Sequence, residues 1–330
     1  MRAVIVGISG PALLASEAAA LRTDPPAGVI LFARNVENPG QLAALVADLR
    51  SVLPGDAVLM VDQEGGRVAR LRPPHWRAHP AAAAIGAVAA RRGLAAGERA
   101  AFLSGALIGL QCRAAGFDVV CAPVLDLAVA GADAVVGDRA FSPDPALVAV
   151  VGGAMARGLL AAGIQPVAKH APGHGRAAVD SHHALPIVTE DDLAADLLPF
   201  QRNAALPWLM TAHIVYTAWD ARRPATLSPE VIGPILRERI GFAGVVVSDD
   251  LSMRALGGPH DERVRRALAA GCDLALHCTG VPEETRTVLR AAPPVSEATV
   301  ARLAAARAQA AVAQTLDEQE LADERDRLLA

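Results

Sequence analysis

The feature that most constrains this chain is a rhythm. Short runs of apolar, β-branched residues alternate with longer segments of helical period along all 330 residues. The runs fall at residues 3–8, 28–33, 57–62, 117–122, 166–170, 209–214, 244–249 and 274–278. Such continuous apolar runs suit strands covered on both faces, as in a parallel sheet built from βα units. Eight of them in this order predict an α/β fold, a single TIM-like (β/α)8 barrel with its active site at the C-terminal strand ends.

The segments between them carry helix starts. Asn38-Pro39, Asp144-Pro145 and Ser228-Pro229 each set a capping side chain before a proline suited to the first helical turn. Leu42, Leu45, Val46 and Leu49 then recur at the spacing of one buried helical face. Residues 71–97, with Pro73-Pro74 and an alanine-rich tract, read as an excursion from the barrel. Residues 316–329 read as a solvated amphipathic helix. No repeat, linker or shift of composition divides the chain, so residues 1–330 read as one catalytic domain with a terminal helical segment at about 296–330.

Composition enters by exclusion. A chain 52% hydrophobic and 20% charged is globular rather than disordered, and 3% aromatic content leaves little for base stacking. With 31 basic residues against 35 acidic ones and no basic run, neither nucleic acid nor an anionic membrane is expected as a partner. No apolar run approaches the roughly 18 residues of a membrane span. Residues 3–16 are uncharged and follow Arg2, which superficially resembles a signal peptide. However, Gly7, Gly10 and Pro11 break that run, and it serves equally as a first strand entering a loop. Cys112, Cys121, Cys272 and Cys278 form no CxxC pair, which predicts buried free thiols in a reducing cytoplasm.

The informative positions are those where polar residues interrupt the apolar runs. Asp62-Gln63-Glu64-Gly65-Gly66-Arg67 follows the third run, Lys169-His170 closes the fifth, His213 lies at the end of the sixth, and Ser248-Asp249-Asp250 ends the seventh. Any one of these can be a cap or a loop anchor. Four on one rim argue for a site, because buried charges without partners or function are costly. The densest cluster runs from Lys169 through His170, His174, Asp180 and His182 to His183, with four of the nine histidines. These are natural metal ligands, but they fall on a Gly- and Pro-containing loop and match no HxH or HExxH spacing. Acid–base chemistry is the other reading, since Asp180 stands two residues from the His182 imidazole; an Asx-turn is the structural one. Asp249 at the barrel mouth can be a nucleophile toward an anomeric carbon, a metal ligand, or an anchor for hydroxyls. Arg67, Arg70, Arg139 and Lys169 suit a polar substrate with hydroxyl, amide or carboxylate groups. Phosphate motifs of the GxGxxG or GxxxxGK[ST] type do not follow any strand. Lys169 is the one lysine among the 31 basic residues, which suggests a narrow pocket where a compact ammonium fits and a planar guanidinium does not.

Residues 28–35 (GVILFARN), 61–70 (VDQEGGRVAR), 122–126 (APVLD), 137–141 (GDRAF), 169–182 (KHAPGHGRAAVDSH), 211–216 and 247–253 (VSDDLSM) resemble the family 3 glycoside hydrolases. Within them, the chain is similar to the cytoplasmic β-N-acetylhexosaminidases of bacterial peptidoglycan recycling. The resemblance runs in order from about residue 5 to residue 280, and the KHxPGHG…DSH signature is specific. It implies one barrel and a retaining mechanism with no metal and no cofactor. By this resemblance Asp249 is the nucleophile, His182 is the general acid/base on a mobile loop, and Asp180 is its dyad partner. Asp62, Arg70, Arg139, Lys169 and His170 resemble the residues that hold the terminal N-acetylglucosamine. Ala171 replaces the family's usual aromatic and Thr211 its proline, departures that bear on loop packing and aglycone preference. The implied reaction removes non-reducing terminal β-N-acetylglucosamine from 1,6-anhydro-muropeptides or chitooligosaccharide-like substrates, in a cytoplasmic monomer. Phosphate in place of water would make the same site a phosphorylase. A metal-dependent amidohydrolase and a catalytically silent saccharide-binding barrel are the alternatives of other classes.

Overall fold

A computed structural model describes residues 1–131, 133–181 and 183–330. Among them ten strands form: β1 (Arg2–Gly7), β2 (Pro26–Leu31), β3 (Val58–Val61), β4 (Val119–Val120), β5 (Gln165–Ala171), β6 (Ile187–Val188), β7 (Trp208–Thr211), β8 (Val215–Tyr216), β9 (Val245–Asp250) and β10 (Leu274–His277). Eight of these, all parallel, close into a barrel in the order β1-β2-β3-β4-β5-β7-β9-β10 and back to β1.

Both faces of each barrel strand are buried, which is why the sequence shows runs rather than alternation. Ala3 and Ile5, Val58 and Met60, and Val245 and Val247 pack in one cluster inside the barrel. Their neighbours Val4 and Val6, Leu59 and Val246 belong to the layer under the outer helices. Side chains two apart on a strand share a face. Asp62 continues the inward series of Val58 and Met60, Lys169 follows inward Val167, and Asp249 follows inward Val247. Strand parity therefore carries three charged side chains to the C-terminal mouth.

Helices α1 (Ala15–Thr23), α2 (Pro39–Val52), α3 (Ala82–Arg92), α4 (Leu94–Ala114), α5 (Pro145–Ala161), α6 (Ala194–Arg202), α7 (His260–Ala270) and α8 (Pro282–Ala291) surround the barrel. The expected caps are present on α2 and α5, where the Asn38 and Asp144 side chains accept from the backbone N–H groups of Gln41 and Ala146. Ser228 caps too, its Oγ accepting from the Val231 N–H at 3.2 Å, but the helix that begins at Pro229 runs on as a π-helical segment, Val231–Arg239, with Pro234 inside it. Two strands also differ from expectation. The fourth run narrows to Val119–Val120, and the sixth stops at Thr211, after which β8 pairs with β6 in a separate two-stranded sheet.

The C-terminal helices are structural. In α9 (Glu297–Ala310), Leu303 and Ala306 join the cluster inside the barrel. α10 (Glu318–Leu329) is amphipathic as expected but is not simply solvated, since Leu321 and Ala322 pack against Leu103, Ala106 and Leu107 of α4. All four cysteines are buried and free. Among the described residues no helix is long and apolar enough to cross a membrane.

Candidate active site

A cavity of about 700 Å³ opens at the C-terminal mouth, lined among others by Asp62, Glu64, Arg70, Arg139, Lys169, His170, His174, Asp180 and Asp249. The structure thus brings together every expected site residue except His182, which lies outside the described residues.

The floor is a connected set of charges. Lys169, 2% exposed, donates from Nζ to Asp62 Oδ1 at 2.9 Å and lies 2.6 Å from Glu64 Oε1. Arg70 Nη2 donates to the other Asp62 oxygen at 3.1 Å. Arg139 grips Glu64 with two parallel hydrogen bonds, Nε to Oε2 and Nη2 to Oε1, both 2.8 Å. Burial by itself would neutralise these groups, and their mutual attraction reverses that outcome. Asp62 is held well below the usual carboxylate range by Lys169 and Arg70 against opposing burial. Glu64 is likewise lowered, with burial opposed by Lys169 and Arg139. Burial opposes the Lys169 ammonium too, but Asp62 and Glu64 raise its pKa above the ordinary lysine value. Two carboxylates flanking one ammonium explain why a compact lysine occupies this place in an arginine-rich chain.

Beside this set, Asp126 organises two histidines. Its Oδ2 lies 2.6 Å from His170 Nδ1, while Oδ1 accepts from the backbone N–H groups of His170 (3.1 Å) and His174 (2.6 Å). Against its burial, His170 lowers the Asp126 pKa to about 2. The Lys169–His170, Ala122–Pro123 and Ala171–Pro172 peptides are cis.

Asp249 lies partly exposed to the cavity, and its Oδ1 accepts from the Asp250 N–H at 2.8 Å. Burial works against its charge, yet His213, His170, the Asp250 N–H and Lys169 together lower its pKa, so the carboxylate is ionised. His213 has no exposed surface; it stands 2.9 Å from the Asp250 carbonyl through Nε2 and 2.7 Å from Thr226 Oγ1 through Nδ1. Burial lowers its pKa against the opposing pull of Asp249, and since a carbonyl can only accept, Nε2–H donates to it and fixes the strand end.

The loop after β5 forms one wall. His174 packs edge-on at 5.6 Å from His170 and meets Ser181 Oγ at 3.1 Å through Nε2. Burial and nearby His170 push its pKa down to about 4. Tyr216 donates to the Gly173 carbonyl at 2.8 Å and Arg176 Nε to Asp196 of α6 at 2.8 Å. Asp180 faces the cavity, with Oδ2 4.0 Å from His183 Nε2. Arg67 stands on the opposite rim, donating to Asp138 and to the Ala134 and Val135 carbonyls.

Glu64, Asp126 and His174 stand in stretches that the sequence marks, but the sequence assigns none of the three a role in the site. Glu64 had a signal, since it follows Asp62 by two residues. Asp126 lies beyond β4, where strand periodicity no longer applies. Among the described residues no three His, Cys, Asp or Glu side chains converge to hold a metal. An ionised carboxylate aimed at a cavity with a hydrogen-bonding floor can bind a polyhydroxylated molecule and attack it.

Comparison with known proteins bears on which chemistry this is. A model of the glycosyl hydrolase family 3 N terminal domain matches residues 8–315. The chain belongs to glycosyl hydrolase family 3. It is 44% identical over 289 residues to a β-hexosaminidase of Methylococcus capsulatus, covering 86% of this chain and 84% of that one. It is 42% identical over 284 residues to a β-hexosaminidase of Pseudomonas aeruginosa, covering 83% and 82%. Among solved structures, NagZ from Neisseria gonorrhoeae in complex with N-trifluoroacetyl-D-glucosamine superimposes with a TM-score of 0.89 at 34% identity, covering 100% of this chain and 98% of that chain. The match spans the whole barrel of this family 3 chain, including the strand ends that carry its charged floor.

Proposed function

We propose that this family 3 chain is a retaining exo-β-N-acetylglucosaminidase that removes non-reducing terminal N-acetylglucosamine from 1,6-anhydro-muropeptides. The observation that carries the reading is the ionised Asp249 carboxylate facing the same cavity as the Asp62–Lys169–Glu64–Arg139 floor. The β-hexosaminidase relatives and the N-trifluoroacetyl-D-glucosamine bound by NagZ support a hexosamine as the occupant.

In this reading the floor, with Arg70 and His170, holds the terminal sugar. An Asp249 oxygen donates an electron pair to the anomeric carbon while the glycosidic C–O bond breaks. His182, as imidazolium oriented by Asp180, gives its proton to the departing oxygen. The neutral imidazole then takes a proton from water, whose oxygen attacks the anomeric carbon and releases Asp249 with net retention. A histidine suits both steps because its ordinary pKa lies near neutrality. The enzyme is proposed to act as a cytoplasmic monomer on muropeptide fragments.

Mass spectrometry of products from a defined N-acetylglucosaminyl-anhydromuramoyl-peptide tests the reading. Free N-acetylglucosamine is expected in plain and phosphate buffers, and proton NMR of the first-formed product should show the β-anomer. A sugar 1-phosphate in phosphate would make the chain a phosphorylase, and no cleavage would overturn the reading. His182→Ala should slow substrates with poor leaving groups by roughly 10²–10⁴-fold and activated aryl glycosides far less, and equal losses would remove its acid role.

A further inference from the structure

A buried polar network links the C-terminal helix to the floor of the site. Arg325 of α10 is only 4% exposed although it carries a full charge. Its Nε and Nη2 donate to Asp326 Oδ1 at 2.9 and 2.8 Å, and its Nη1 lies 3.2 Å from His79 Nδ1. The other ring nitrogen of His79, Nε2, is 2.7 Å from Gln111 Oε1 on α4. A guanidinium can only donate, so Nδ1 accepts and Nε2–H donates to Gln111. The two contacts thereby fix both the tautomer and the ring plane. Burial pushes the His79 pKa down to about 4, which keeps the ring neutral opposite Arg325.

Docking alone does not require this arrangement. Leu321 and Ala322 already seal α10 against α4, and an apolar side chain at 325 would avoid the desolvation of a charge. What the network adds is a fixed position for the backbone at residues 79–81. The His79 carbonyl accepts from the Gly66 N–H at 3.0 Å. A Cβ at Gly65 would come within 2.2 Å of the Pro80 carbonyl oxygen, and one at Gly66 within 2.7 Å of Ala81 Cβ. Both glycines have positive φ, 98° and 55°, in a turn closed by N–H groups of Glu64 and Gly65 on the Val68 carbonyl. The contact is backbone against backbone, with no flexible side chain to absorb a shift. Glu64, the first residue of that turn, holds Lys169 and Arg139 together.

We propose that Arg325 and His79 are positioning residues through which α10 sets the Glu64 turn against the sugar-binding floor. The proposal rests on the hexosamine reading of that floor. Floor contacts hold ground state and transition state alike, so loosening them raises KM and leaves kcat nearly unchanged.

The test compares folded full-length variants on a chromogenic N-acetylglucosaminide and measures free N-acetylglucosamine affinity by calorimetry. Arg325→Leu is expected to raise KM and the sugar Kd about 5–10-fold with kcat within about twofold. His79→Asn, whose amide oxygen can replace the Nδ1 acceptor, should stay near wild type, while His79→Val should match Arg325→Leu. Leu321→Ala, which weakens docking without touching the network, should lower Tm and leave KM unchanged. An unchanged KM in whichever of Arg325→Leu or His79→Val folds overturns the proposal. So does a KM rise in Leu321→Ala equal to theirs, which would mean that any loosening of α10 suffices. A wild-type protein that neither binds nor cleaves the sugar would instead overturn the hexosamine reading.

Discussion

The floor of the cavity and the loop after β5 face each other across one pocket but are built by different rules. In the floor, Asp62, Glu64, Lys169 and Arg139 are buried or nearly so, and each is paired within 3 Å to a group that is itself paired. The loop is tied at both ends, by Asp126 and Tyr216 at one and by the β6–β8 pair at the other, while Val179 and His183 stand exposed between them. Under the proposed function the difference has a chemical reason. A group that only holds a sugar works best with its protonation state locked by neighbours, as in preorganised electrostatic sites. A group that gives and takes a proton in each cycle must keep a titratable pKa, which a dense charge cluster would remove.

The most damaging change is expected at Asp249. Asp249→Ala in folded protein should lower kcat by roughly 10⁴-fold or more, the scale on which a lost nucleophile is felt. Retained turnover of a chromogenic N-acetylglucosaminide would break the proposed assignment of the nucleophile to Asp249, between the floor and the loop.

Next comes Lys169→Met, which leaves Asp62 and Glu64 charged and buried with one cation fewer. Breaking a buried charge set in this way costs about 3–5 kcal/mol, read as a lower urea midpoint. A loss below about 1 kcal/mol would show that the floor is not the locked element described above.

Acid should separate the two regions. His174 has its folded pKa depressed to about 4, below the ordinary histidine value of 6.5, so the unfolded or opened state binds the extra proton. Its contribution is complete above about pH 6.5 and is lost as pH falls toward 4, up to roughly 3 kcal/mol. Asp126, lowered to about 2 from 3.8, has its contribution complete above about pH 4 and loses it only as pH falls toward 2. Hydrogen-exchange protection, taken relative to the intrinsic rate at each pH, should therefore fall in residues 172–181 and 183–186 between pH 7 and pH 5 while the barrel strands stay protected. His174→Asn should flatten that response. His79, also lowered to about 4, adds a global loss in the upper window, so local exchange rather than Tm is the decisive reading.

The smallest effect is expected at Arg67–Asp138, both about half exposed at the cavity rim. Removing the Asp138 partner by Asp138→Asn should change stability by less than about 1 kcal/mol, since solvent screens the pair. A larger loss would extend the rigid floor out to the rim.

How much of the site was legible follows from strand geometry. Asp62, Lys169 and Asp249 could be found because each interrupts an apolar run at its end, where a side chain must be either paired or functional. Glu64 carried the same signal in weaker form, two residues beyond Asp62. Asp126 did not, because it lies past the end of β4 where side-chain direction is set by the path of the chain. Helix α10 was misjudged as solvated because its charged residues dominate the pattern, whereas burial is decided by the few that meet α4.

By itself, then, the sequence determined the barrel, its strand order and the end of it that carries charge. Those depend on local periodicity and on the requirement that parallel strands be covered on both faces. Only the tertiary structure decided which charge meets which. Lys169 reaches Asp62 across 107 residues, His170 reaches Asp126 across 44 and Arg325 reaches His79 across 246, pairings that exist only once the barrel has closed. Closure also sets the protonation states, because in a buried cluster the neighbours rather than the residue type decide whether a carboxylate stays charged.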